Sequence, residues 1–169
     1  MATGLKSRVI YKTHSADNTW TGTYKLLMRA KSLPSPIGER NMVDVSTLED
    51  EMEVQEPGRR AAASVSIQGA MEKTYLDDMN ELADTKLDII HLYGTDGTGS
   101  IGKLAYVGTV DVTPDEATDD HLTMTANIAV STVPKYITDD VTVTVTEESD
   151  GSLTFTVAAA TSTSTTTTP

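Results

Sequence analysis

Apolar and polar residues alternate along most of the chain, and a period of two is typical of strands with one buried face. Polar or glycine-containing turns separate the alternating runs. The pattern predicts strands within residues 5–12, 22–31, 61–68, 87–93, 103–112 and 122–131, and then a hairpin of residues 141–145 and 153–157 around Asp150-Gly151. Abundant threonine favours the same conclusion, so we expect a mainly β protein.

Two pairs of strands are predicted to form hairpins. Residues 5–12 and 22–31 flank a polar turn at 14–18, and residues 103–112 and 122–131 are joined across 113–120. The strand at 22–31 divides into an apolar face and a cationic face, with Tyr24, Leu26, Met28 and Ala30 against Lys25, Arg29 and Lys31. One side of the first hairpin is therefore expected to be buried.

A helical period occurs in residues 71–84. Its apolar stripe comprises Tyr75, Leu76, Met79, Leu82 and Ala83. Thr74 with Asp77 is expected to act as a capping box, and Gly69 is expected to end the preceding strand. The order of elements predicts a β-sandwich or barrel-like fold with one flanking α-helix at about 71–84.

Residues 32–60 form a long connection that is rich in proline, glycine and acidic side chains. Unstructured loops of more than about 15 residues are uncommon in compact domains unless they bind something or are disordered. Within it, residues 42–45 indicate at most a short strand. We interpret the connection as an arm that becomes ordered against a neighbouring subunit. Its candidate contact residues are Val43, Val45, Leu48, Val54, Pro57 and Gly58.

Composition argues against a protein that grips nucleic acid. The chain has 13 Lys and Arg against 25 Asp and Glu, a formal charge of −12, whereas phosphate binding requires clustered cations. An acidic surface also keeps a protein dispersed, and that remains an alternative explanation of the charge. Leu, Ile, Val and Phe supply roughly 20% of the residues, close to the lower limit for a self-sufficient domain. We therefore expect neighbouring subunits to complete the burial.

Candidate sites for chemistry are weak. Cysteine is absent, which excludes disulfides and thiolate metal sites, and no signal peptide or membrane span is predicted. Residues 97–103 match the start of a phosphate-binding loop, but Leu104 replaces its Ser or Thr and a strand follows, so a glycine-rich β-turn is predicted. The acidic cluster Asp115, Glu116, Asp119, Asp120 and His121 has no calcium-loop spacing. His14, His91 and His121 lie in no catalytic motif, so we predict no enzyme activity, cofactor or metal.

The arm carries a recognisable motif. Residues 43–50 read V-D-V-S-T-L-E-D, and Pro57-Gly58 follows shortly after. With two strands before the arm and a strand, a helix and further strands after it, the chain resembles the tail tube proteins of siphophages. That family has D-V-T-x-L-x-D and a following Pro-Gly in its long loop, and Ser46 departs from the usual Thr. The organisation matches over residues 5–131, with firm residue matches only at 43–58.

This resemblance implies a β-sandwich-like virion subunit. Six copies would form a ring with a common inner barrel, and stacked rings would form the conduit for DNA ejection. The implied partners are other copies, a tape-measure protein, tail-tip or baseplate proteins and a tail terminator, all assembled in the host bacterial cytoplasm. Residues 1–131 would be the tube domain with its assembly arm at 32–60, residues 132–158 a C-terminal segment with a hairpin, and residues 159–169 a flexible Ser/Thr tail.

A channel for DNA is expected to lack cations that clamp phosphates and aromatics that stack on bases. Two predicted strand faces, and part of an adjacent strand, meet this description. The lumen-facing candidates are Ser64, Ser66, Gln68, Thr109, Asp111, Thr123, Thr125 and Asn127. Lys25, Arg29 and Lys31 are expected to point elsewhere, toward acidic residues of an adjacent subunit.

Two other classes remain open at this stage. One is a related ring-forming tube protein from a contractile tail or a type VI secretion system. The other is a β-rich surface decoration or adhesion module, which the Val/Thr hairpin and the Thr-rich tail favour.

Overall fold

The computed structural model describes residues 6–17, 19–61 and 63–161. Nine strands of this described part form one antiparallel sheet. The elements are β1 (Arg8–Thr13), β2 (Gly22–Leu26), β3 (Arg40–Asp44), β4 (Gln55–Arg60), β5 (Ser64–Ala70), α1 (Lys73–Glu81), β6 (Leu87–Tyr93), β7 (Gly102–Pro114), β8 (Thr123–Val130), β9 (Lys135–Tyr136), β10 (Val141–Glu147) and β11 (Leu153–Ala159). The large sheet has the order β10-β11-β2-β1-β6-β7-β8-β5, with β9 beside β7, and β3 pairs with β4 separately. The strands pack in a sandwich-like arrangement, so the predicted mainly β fold with one flanking helix is confirmed.

The sheet curls until the chain after β2 meets β5. Ala30 pairs with Gly69, and on either side the Lys31 amide donates to the Gln68 carbonyl (2.9 Å) and the Ala70 amide to the Arg29 carbonyl (3.3 Å). The resulting barrel-like unit encloses a first core that includes Val9, Met28, Ile67, Ile89, Tyr106, Met124 and Ile128. Closure thus pairs part of an edge that β5 would otherwise expose.

A second core lies on the opposite side of β1 and β6. Ile10, Ile90 and Leu92 face it, and Tyr24, Phe155, Val157, Ile137 and Val141 cover it. Because both cores press on β6, every residue from Leu87 to Leu92 is buried. The predicted C-terminal hairpin is present as β10 and β11, and β11 pairs with β2, so the hairpin belongs to the main sheet.

The helix is shorter than predicted and begins differently. It runs over Lys73–Glu81 rather than 71–84, and Met79 is buried in the first core with Tyr75, Leu76 and Leu82 packed around it. The predicted capping box of Thr74 and Asp77 is wrong, because Glu72 is the N-cap residue and makes no side-chain capping bond. Thr74 already lies inside the first turn, where its side chain cannot cap.

The prediction that Gly69 ends its strand is also wrong. Gly69 lies within β5 and pairs with Met124 of β8. A Cβ atom at Gly69 would lie 2.5 Å from the Arg29 carbonyl oxygen, so glycine permits the close approach that closes the barrel. The strand predicted at residues 22–31 is shorter than expected, because β2 ends at Leu26, and Leu27 and Met28 are both buried where the chain bends toward β5.

Some predicted positions lie outside the described residues, namely Leu5, Asn18, Ala62 and residues 162–169 of the predicted tail. Ala159, where that tail was expected to begin, is the last residue of β11. Among the described residues, the helix is too short and too polar to span a bilayer.

Candidate functional site

All eight lumen-facing candidates lie on one outer face of β5, β8 and β7. Three cross-strand rows establish this: Ser64-Ala129-Thr109, Ser66-Asn127-Asp111 and Gln68-Thr125-Thr113, with Thr123 opposite Ala70. The alternating residues, such as Ile67 and Ala126, point into the first core, so this face points outward. Over residues 64–70, 109–113 and 123–129, the face consists of Ser, Thr, Asn, Gln, Asp and Ala, and on β7 it continues into the buried Val107, Ala105 and Lys103. We call it the polar face.

Asp115 organises one end of the polar face. Its carboxylate accepts hydrogen bonds from Gln68 Nε2 (2.9 Å), Thr123 Oγ1 (2.7 Å) and Thr125 Oγ1 (2.7 Å). These bonds, that of Gln68 foremost, hold the pKa of the Asp115 carboxyl below its usual value. The sequence grouped Asp115 with an acidic turn, because its partner Gln68 lies 47 positions away. The network fixes the side chains and keeps a negative charge on the face.

Two cations stand at the margin of the polar face. Through the Ala30–Gly69 pairing, Lys31 lies opposite Gln68 and Arg29 opposite Ala70, on the same side of the sheet. Arg29 forms an exposed ion pair with Glu72 (3.5 Å), and Lys31 contributes to the lowered pKa of Asp115. The expectation that Arg29 and Lys31 point away from this face is therefore wrong. Lys25, in contrast, lies on β2 beside Tyr11 and Asp78, away from these strands.

The arm contains a hairpin of its own. Strands β3 and β4 pair over Arg40–Arg60, with a bulge between Arg40 and Met42. The sequence indicated a short strand only near residues 42–45, because Pro57-Gly58 is not typical of strands, yet both residues belong to β4. Every residue from Glu39 to Pro57 is exposed.

The six candidate contact residues divide between the strands and the tip of this hairpin. Val43 lies in β3, and Pro57 and Gly58 lie in β4. The amide of Val45 donates to the carbonyl of Val54 (2.9 Å), so these two residues extend the ladder toward the tip, where Leu48 is fully exposed. The arm thus displays apolar side chains that no other part of the described chain covers.

Local hydrogen bonds give the arm tip its shape. Ser46 Oγ donates to Asp44 Oδ1 (2.6 Å) and accepts from the Val54 amide (2.8 Å). Asp50 accepts from the Thr47 amide (2.6 Å) and from Thr47 Oγ1 (3.0 Å). The motif residues therefore fold the tip on itself and leave Leu48 at its apex.

The remaining candidates for chemistry have structural roles. Residues 94–101 form a glycine-rich loop of bends, with Gly97 and Gly99 at φ 77 and 74, and strand β7 follows it from Gly102. Lys103 is buried, and its Nζ donates to the Thr138 carbonyl (3.1 Å). Within the described ranges, no cluster of three or more His, Asp or Glu side chains is placed to hold a metal ion.

The three histidines have unrelated surroundings. His14 Nδ1 lies 2.6 Å from the carboxylate of Asp88, a buried residue, and His121 is exposed beside the acidic turn. His91 is fully buried, its Nε2 lies 2.8 Å from the Tyr106 hydroxyl, and burial lowers its pKa to about 4. His91 is therefore neutral near pH 7 and acts as a hydrogen-bonded core residue.

No protein-family model matches the chain, and no curated protein matches it significantly in sequence.

Proposed function

We propose that this protein is a non-enzymatic virion subunit that polymerises as stacked six-membered rings into the tail tube of a long, non-contractile-tailed bacteriophage. The observation that carries the proposal is the polar face of β5, β8 and β7. It spans three paired strands and is composed of small polar, alanine and acidic side chains. As the lining of a bore, it would guide DNA during ejection without holding it.

The chemistry of the polar face fits passage rather than binding. Affinity for DNA comes mainly from cations that displace counterions from phosphates, and affinity for single strands comes also from aromatic stacking. Asp111 and the anionic Asp115 instead repel phosphate. The two cations, Arg29 and Lys31, lie at the edge of the polar face rather than within it, beside Glu72 and Asp115 respectively.

Two further features support polymerisation. The arm exposes Val43, Val45, Leu48 and Val54, which gain burial only against another molecule. In addition, β10 is a sheet edge with β11 on one side and no strand on the other among the described residues, so it can accept another strand. In this proposal the partners are other copies, a tape-measure protein and the proteins that begin and end the tail.

Electron microscopy of the purified protein tests the proposal. We expect six-fold rings or tubes, and a reconstruction in which the polar face lines the bore. A stable monomer at high concentration would contradict the tube, and tubes with the polar face on the outside would contradict the assignment of the lining. The triple variant Val43→Ser/Val45→Ser/Leu48→Ser should keep the fold of the subunit but weaken stacking, because it removes apolar contacts of the arm.

A matched control tests whether assembly depends on the apolar side chains of the arm or on any exposed apolar side chains. Ile101, Leu122 and Val133 are also large, apolar and exposed, but they lie outside the arm. The variant Ile101→Ser/Leu122→Ser/Val133→Ser should assemble at wild-type concentrations. Normal assembly of the arm variant would show that the arm does not hold the rings together.

A further inference from the structure

A basic groove lies between the start of β1, the bend after β2 and the C-terminal hairpin. It has a volume of about 350 Å³, and Lys6, Arg8 and Arg29 line it together with apolar Met28 and Leu153. Among the described residues that line it, Glu147 is the one carboxylate, against three cations. In a chain of formal charge −12, this local excess of positive charge indicates a site for an acidic partner.

The cations of the groove are held open to a ligand. The Arg8 guanidinium lies over the Phe155 ring, 5.6 Å from its centroid, which fixes its position without neutralising it. Arg29 pairs with Glu72 at 3.5 Å, but both side chains are about half exposed, so the pair is weak and exchangeable. Lys6 is exposed and makes no ion pair among the described residues.

The arm tip has the complementary composition. Residues 44–54 contain five carboxylates and no cation, together with exposed Leu48 and Met52. Asp44 and Asp50 are used in the local turns of the tip. Glu49 and Glu51, which flank Asp50, make no hydrogen bond or ion pair within the described residues and are free to meet a cation.

We propose that the groove receives the arm tip of a second copy of this chain. Leu48 and Met52 would pack on the partly exposed Leu153, while Glu49 and Glu51 would pair with Lys6 and Arg29. The inference rests on the proposed function, because it takes another subunit as the partner. Every residue from Glu39 to Pro57 is exposed, so the tip does not occupy the groove of its own chain.

This contact is heterologous, since it joins two different surfaces of identical subunits. A pair joined by one such contact keeps one free tip and one free groove, so further copies can add, as the stacking of rings along an axis requires. The ion pairs are exposed at the rim, so salt should weaken the contact as the screening length falls from about 10 Å at 0.1 M to about 3 Å at 1 M.

Reciprocal charge reversal in full-length protein tests the docking. The tip variant is Glu49→Lys/Glu51→Lys, and the groove variant is Lys6→Glu/Arg29→Glu. Each alone should raise the concentration needed for stacking about tenfold or more, measured by sedimentation. Combining all four substitutions in one chain should restore stacking, because the charges are again opposite. Mixing the two double variants should give a complex larger than either forms alone, since each supplies the intact half that the other lacks.

Two charge-reversal variants outside the tip and the groove serve as matched controls. Glu116→Lys/Asp119→Lys and Lys86→Glu/Lys135→Glu change the charge equally at exposed sites outside the tip and groove, and both should stack normally. If Arg29→Glu disturbs folding, as judged by thermal unfolding, Arg29→Gln replaces it. Tubes that form normally from the tip or groove variant, or no rescue in the four-fold variant, would overturn the docking and leave the tube proposal standing. A wild-type chain that never self-associates would overturn both.

Discussion

Strand β6 in the body and strand β3 in the arm are similar in length but opposite in surroundings. Every residue of β6 from Leu87 to Leu92 is buried between two cores, whereas every residue of β3 from Arg40 to Asp44 is exposed. An isolated two-stranded hairpin is marginally stable in water, so the arm draws its order from ladder bonds and the turns of its tip. The body is thus stabilised by apolar side chains buried within one chain, whereas the apolar side chains of the arm would be buried only against a partner.

The largest expected difference between the two regions is in the cost of truncating an apolar side chain. Ile89→Ala should lower the free energy of unfolding by about 2–5 kcal/mol, because Ile89 is fully buried in the first core and a cavity would remain. Leu48→Ala should change it by less than about 0.5 kcal/mol in the monomer, because Leu48 is fully exposed. Urea unfolding of both variants measures this, and comparable losses would break the distinction between body and arm.

Acid should weaken the body before it affects the arm tip. Burial lowers the pKa of His91 to about 4, so between about pH 6.5 and 4 the unfolded chain binds a proton that the folded chain refuses. Stability is fully present above this window and is lost as the pH falls through it, by about 3 kcal/mol. In the tip, hydrogen bonds from Ser46 and Thr47 lower the pKa values of Asp44 and Asp50, so their contribution persists until the pH falls below about 4.

Urea unfolding as a function of pH, with His91→Gln as the comparison, measures the contribution of the histidine. The variant should lose less stability than the wild type across the window, since it has no group to protonate there. Parallel pH profiles for the two proteins would show that other groups cause the acid sensitivity of the body.

The smallest expected effect is local to the arm. Ser46→Ala removes the bonds to Asp44 and from the Val54 amide, which should speed hydrogen exchange of the arm amides about fivefold, or about 1 kcal/mol. Global unfolding should not change. Ser152→Ala is the control in the other hairpin, because Ser152 Oγ donates to Asp150 Oδ1 (2.6 Å) as Ser46 Oγ does to Asp44 Oδ1. Faster exchange throughout the chain, or a lower midpoint of unfolding, would show that the arm and the body unfold together.

Features set by local periodicity were predictable from the sequence. The alternation in β8, with Met124, Ala126 and Ile128 inward, predicted both its hairpin with β7 and the shared polar face. This worked because a strand's faces follow directly from odd and even positions. The helix was placed correctly but too long, since apolar contacts of Met71 and Leu82 continue beyond its hydrogen-bonded turns.

Features that depend on distant partners were not predictable. Gly69 has the composition of a strand breaker, and only the carbonyl of Arg29 explains why it lies inside β5. Asp115 acquires its role from Gln68, and Asp88 from His14, through contacts 47 and 74 positions apart. The groove joins the start of β1 to the C-terminal hairpin, so no single stretch of sequence contains its charge pattern.

The seam of the barrel, where Ala30 pairs with Gly69, has a consequence for how the sequence of this chain can change in evolution. The arm leaves the body just after that seam and returns just before it, and the amide of Ala61 already bonds the carbonyl of Glu39 at its root. Its ends are therefore fastened together whatever lies between them, and doubling such an insert adds only about 0.6 kcal/mol of closure entropy. Residues 40–60 are free to lengthen, shorten or be exchanged for another tip without reopening the barrel.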